Sequence, residues 1–121
     1  MTLRRLAVLQ WVGLLAGAAV WAAQHVAGLY VNYADCGPSF SFSSHLWQGV
    51  LMAVALVLVA GAQAAAVTVL LRTRDASYED PPAIGRIRFF AIAAVVTNVL
   101  FLGIILLDGL ANLFDVACRQ G

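Results

Sequence analysis

Residues 89–107 read FFAIAAVVTNVLFLGIILL, and no formal charge lies between Arg88 and Asp108. A helix rises about 1.5 Å per residue, so crossing a ~30 Å hydrocarbon layer takes about 20 apolar residues. Continued to Phe114, this run is long enough to cross once. Two further gaps in the charge pattern, from Arg5 to Asp35 and from Asp35 to Arg72, have the same character. Spans are therefore expected near Leu6–Val31, Leu46–Leu71 and Phe89–Phe114. The second gap also holds Cys36–Ser44, where Gly37, Pro38 and four serines read as a loop between two helices. Strands are disfavoured, because the runs are Ala/Leu-rich and lack the alternation of a barrel strand.

Composition points the same way. The chain has 121 residues, 63% hydrophobic and 11% charged, with a mean hydropathy of +0.91. Soluble domains carry roughly a quarter charged residues. Seven arginines, no lysine and six acids are too few to coat a water-facing surface of this size. A disordered tail needs low hydrophobicity, and a nucleic-acid binder needs a basic patch, so both classes are excluded and no nucleic-acid partner is expected. The length allows one domain. The expectation is an all-α integral membrane three-helix bundle, in contact with lipid.

The arginines set its orientation. Arg4 and Arg5 precede span one, and Arg72, Arg74, Arg86 and Arg88 lie between spans two and three; Arg119 alone falls on the other side. Short loops rich in basic residues stay inside. The N-terminus and loop 72–88 are thus expected in the cytoplasm, with loop 32–45 and tail 115–121 outside, as in a multi-pass protein of the bacterial inner membrane. The start, Met1–Arg5 and an apolar run ending Val20-Trp21-Ala22, also resembles a secretory signal, and an uncleaved anchor is the favoured reading. Ser43 or Ser44 can cap span two. Asp80 before Pro81 and Pro82 is a good start for a third helix that begins before the lipid. Tyr30, Tyr33, Phe40, Phe42 and Trp47 cluster at the outer boundary as an interfacial belt does.

Cys36 follows span one and Cys118 follows span three, so both are expected on the outer, oxidising side. A Cys36–Cys118 bridge would tie the outer loop to the tail; two free thiols, or a thiol pair serving a partner, are the alternatives. The thiols lack the two-residue spacing of a disulfide-exchange site. Cys36, Cys118, His25 and His45 are too scattered for zinc, so no metal is expected.

Ionisable groups in lipid are expensive and usually face protein. His25 and Asp108 each sit six residues before the outer end of their spans, so helical rise puts both about 9 Å below that boundary. They are expected to form a buried polar pair that fixes which helix faces touch; a proton relay or ligand contact is the functional alternative. A haem held by His25 would need a second histidine at similar depth, and His45 lies at the surface, so no cofactor is expected. Nucleophile elbows, phosphate-binding loops and paired catalytic carboxylates are absent, and no enzyme activity is expected.

Asn98, Ile105 and Asn112 recur every seven residues on span three, beside Asp108, and span two adds Gln48 and Gln63. Amides in apolar helices stabilise helix contacts, each by roughly 1 kcal/mol or less. Gly13 and Gly17 form a GxxxG pair whose ridge continues through Trp21 to His25, and Gly61, Ala64 and Ala65 form a second small patch. Small residues let two backbones approach closely. Three helices cannot shield every face, so the Gly13/Gly17 ridge and the span-three stripe are expected to dock on a larger partner.

Arg88-Phe89-Phe90, Leu100-Phe101-Leu102, Ile104-Ile105-Leu106, Gly109-Leu110 and Cys118 at the end of the chain resemble a family of small three-span bacterial proteins encoded beside haem–copper cytochrome c oxidase subunits. Trp21-Ala22, His25, Tyr30 and Cys36 resemble that family around its first outer loop. The resemblance implies association with the integral membrane subunits of a terminal oxidase, as an accessory subunit or an assembly helper, and no chemistry of its own. A cofactor-carrying or proton-handling protein using His25 and Asp108 is the contrasting expectation. A self-assembling transporter ranks last, since small carriers of that kind use four spans and a membrane-embedded glutamate.

Overall fold

A computed structural model describes residues 2–37, 43–77 and 82–114. The described residues form three helices, α1 (Leu3–Asp35), α2 (Ser44–Arg72) and α3 (Pro82–Phe114). Each is long and apolar enough to cross a membrane, which makes this a multi-pass, all-helical membrane protein. The helices overrun the expected spans. α1 continues to Asp35, so Asn32 belongs to a helix and not to the outer loop, while α3 begins at Pro82, ahead of Phe89 as its proline start signal led one to expect. Asp80, Pro81, Phe40, Phe42, Cys118 and Arg119 lie outside the described residues.

Every helix touches both others. Leu6 meets Val69 and Ile87 at one end, while Gly28 sits against Gln48 and Asn112 towards the other. α1 and α3 therefore run parallel and α2 runs against them. The interior follows a spacing of alternating threes and fours. It runs through Leu6, Gln10, Gly13, Gly17, Gln24 and Gly28 on α1, and through Gln48, Ala55, Val59, Ala62, Ala66 and Val69 on α2. On α3 it passes Ile87, Ala91, Ala94, Asn98 and Ile105. This is the seam spacing of coiled coils, built from small and amide side chains. Lipid gives no hydrophobic drive between helices, so close van der Waals packing holds the bundle together. Large apolar residues such as Val57, Leu100 and Leu107 accordingly face outward.

Two positions need glycine for this approach. A Cβ on Gly17 would lie 2.5 Å from Asn98 Oδ1 and 2.9 Å from Phe101 Cδ2; one on Gly13 would lie 3.1 Å from the Ala66 Cβ and 3.3 Å from its backbone. The Gly13/Gly17 ridge thus packs against α2 and α3 of its own chain. It is not a docking face, contrary to expectation, because the seam spacing turns it inward. The Gly61/Ala64 patch lies on the surface: both residues are exposed, and Gly61 has open space before it. One register step away, Ala62 and Ala66 make the contact instead.

The ends are closed locally. Thr2 Oγ1 accepts from the Arg5 amide at 3.4 Å. Ser43 caps α2 through its backbone carbonyl alone, since its hydroxyl makes no capping bond. At the other end of α2, Thr73 donates its hydroxyl to the Val69 carbonyl at 2.9 Å, and Arg72 complements the helix dipole. The Arg88 guanidinium donates to the Ala76 carbonyl and fastens the 73–77 segment to α3.

Candidate functional site

The two ionisable residues of the spans meet. His25 Nδ1 lies 3.3 Å from Asp108 Oδ2, joining α1 to α3. An ionised carboxylate only accepts, so in that state Nδ1 carries the proton. The Trp21 indole stacks on the imidazole, with ring centroids 5.9 Å apart and planes 29° apart, and also meets the Phe101 ring, at 6.1 Å. The Trp21 Nε1 is buried without a hydrogen-bond partner.

The pair is not buried, which corrects the expectation. The His25 side chain is 45% exposed and Asp108 22%. The geometric reason is the seam: Gln24 and Gly28 occupy the interior of α1, and His25 follows Gln24 by one residue, about 100° around the helix. The pair therefore borders the bilayer on the α1/α3 face. An ionisable pair in that position lacks the protein cover such groups normally have.

Just beyond it lies a polar clasp across all three helices. Gln48 Nε2 donates to the Gly28 carbonyl at 2.9 Å and to Asn32 Oδ1 at 3.0 Å. Asn32 Nδ2 in turn donates to Asn112 Oδ1 at 3.2 Å. Deeper in, Asn98 is fully buried and donates to the Gly13 carbonyl at 2.8 Å. Asn98 and Asn112 thus hold α3 to α1 within the chain. Ile105, between them, sits in the apolar layer with Ala55 and Val59.

Sequence reasoning missed Gln10 and Gln24, both buried on α1, and the part played by Asn32. The signal was there. Gln10 and Gln24 are two heptads apart, as Asn98 and Asn112 are, and both pairs mark the seam.

Chemically, the site offers one imidazole and one carboxylate. Such a couple can hold or exchange a proton locally. Among the described residues no three His, Cys, Asp or Glu side chains gather as a metal would require. No described cysteine is free. The partner expected for Cys36 is Cys118, which lies outside the described residues. No family model, curated protein or solved structure matches this chain.

Proposed function

We propose that this protein is a non-catalytic accessory subunit of a respiratory membrane complex, a cytochrome c oxidase. One observation carries the docking: the His25–Asp108 pair stands half open on the α1/α3 face, where a lone bundle would leave it against hydrocarbon. Helices of a larger complex would cover it and supply polar groups to its open side. The choice of an oxidase rests on the resemblance through residues such as Arg88-Phe89-Phe90, Gly109-Leu110 and Cys118. The arginine distribution supports a bacterial inner-membrane protein with its N-terminus in the cytoplasm and its C-terminus outside. In that orientation a Cys36–Cys118 bridge would form on the oxidising side and pin the tail to the outer loop.

The test is purification of the tagged chain from membranes in mild detergent. Co-elution with a haem protein in fixed ratio is expected; recovery free of any haem protein contradicts the proposal. An assembly helper would instead co-purify only with newly made, incompletely loaded subunits. The contact between His25 and Asp108 also favours a second reading, in which the chain handles protons. That reading predicts lost activity in His25→Ala while the complex stays intact.

A further inference from the structure

At the arginine-bearing end, α1 and α3 leave a groove of about 620 Å³ between them, lined by Arg4, Ala7, Gln10, Trp11, Arg86 and Phe90 among others. Its mouth is cationic. Arg4 and Arg86 form no ion pair among the described residues. Both helices also begin here, at Leu3 and Pro82, so the positive ends of two parallel helix dipoles meet at one place. Its wall is apolar: the Trp11 and Phe90 rings lie 5.9 Å apart, and Trp11 is half exposed. At its base Gln10 is only 3% exposed and has no hydrogen-bond partner among the described residues, yet it lines the groove. Its amide atoms are not among the buried ones left without a partner, so they keep access to the groove and can meet a polar group from outside the chain.

We infer that this groove binds an anionic phospholipid, with the phosphodiester between Arg4 and Arg86, an ester carbonyl at Gln10, and an acyl chain along Trp11 and Phe90. The order of chemistry is that of a lipid: charge at the mouth, one amide about 9 Å further along α1 by helical rise, then hydrocarbon. A basic pocket between membrane helices is the recognised form of such a site. A free phosphate would use the arginines but leave Gln10 and the aromatic wall unoccupied. The site lies at the opposite end of the bundle from the His25–Asp108 pair and stands without any oxidase partner.

The experiment is native mass spectrometry of the delipidated full chain in detergent, offered equal phosphatidylglycerol and phosphatidylcholine. Each arginine near an anionic lipid contributes enough that the two together give roughly a thirtyfold preference for phosphatidylglycerol. Arg4→Gln with Arg86→Gln should abolish the preference. Arg72→Gln with Arg74→Gln, the same charge change at the same end but off the groove, should keep it. Millimolar inorganic phosphate should not displace the lipid. Equal binding of the two lipids by the unaltered chain, which needs no variant to fold, would overturn the inference. So would equal losses in the two double variants, which mean diffuse surface charge, or displacement by phosphate, which means an ion site.

Discussion

The Gln48 amide on α2 reaches the Gly28 carbonyl on α1 at 2.9 Å, and a Cβ at Gly28 would stand 3.2 Å from Gln48 Oε1. The missing side chain of one residue makes room for the hydrogen bond of the other. Through Asn32 and Asn112 the same contact extends to α3, so one small polar knot ties all three helices beside the exposed pair.

Gln48→Leu should therefore destabilise the bundle by about 1–2 kcal/mol, since membrane hydrogen bonds contribute roughly 1 kcal/mol each and this residue makes two. Gln63→Leu should be neutral or stabilising, because Gln63 Oε1 is buried with no partner to lose. Unfolding in mixed micelles by dodecyl sulfate, followed by circular dichroism, checks both.

Replacing glycine should have opposite effects on the two faces of the bundle. Gly17→Ala puts a methyl against Asn98 and Phe101 and should cost about 1–3 kcal/mol, the usual range for overpacking. Gly61→Ala meets open space and should be neutral or gain up to about 1 kcal/mol from helix propensity. The same titration measures both.

Removing one member of the ionisable pair should act mainly on assembly. Asp108→Leu leaves His25 without its carboxylate on a face already 45% open. The variant chain should reach the membrane at normal levels, while the haem protein recovered with it falls several-fold. Quantitative blotting of membranes and absorbance of the eluate give the two readings.

The proposed bridge has a simple signature. Under non-reducing conditions the intact chain should be lighter by two hydrogens and resist alkylation. Cys36→Ser should expose Cys118 to a membrane-impermeant maleimide added from outside the cell. Intact mass and gel-shift labelling read the two outcomes.

Much of the fold is legible in the sequence. Charge-free gaps ending at Arg5, Asp35, Arg72 and Arg88 mark the three helices, because lipid tolerates few other residues between them. The meeting of His25 and Asp108 follows from equal depth on two parallel helices. Burial was harder to read. In a water-soluble helix the apolar face points inward, but here both faces are apolar, so hydropathy does not distinguish lipid from interior. The distinguishing pattern is the seven-residue recurrence of small and amide residues, visible at Asn98 and Asn112 and overlooked at Gln10 and Gln24. His25 lies at the edge of the bundle and not in its core because it falls one residue off that register, beside Gln24. The outward use of Gly13 and Gly17 failed for a related reason: a close-approach motif does not say whose helix approaches.

Site-specific photo-crosslinking in intact cells tests the docking face most directly. Ile104 lies one helical turn before Asp108 on the same side of α3 and is 42% exposed, while Val57 on α2 is 71% exposed and far along the sequence from the pair. A photoreactive residue at 104 should capture an oxidase subunit in high yield, and one at 57 should capture little. Cross-links to lipid alone from position 104, or equal capture of that subunit from both positions, would contradict a partner seated over the His25–Asp108 pair.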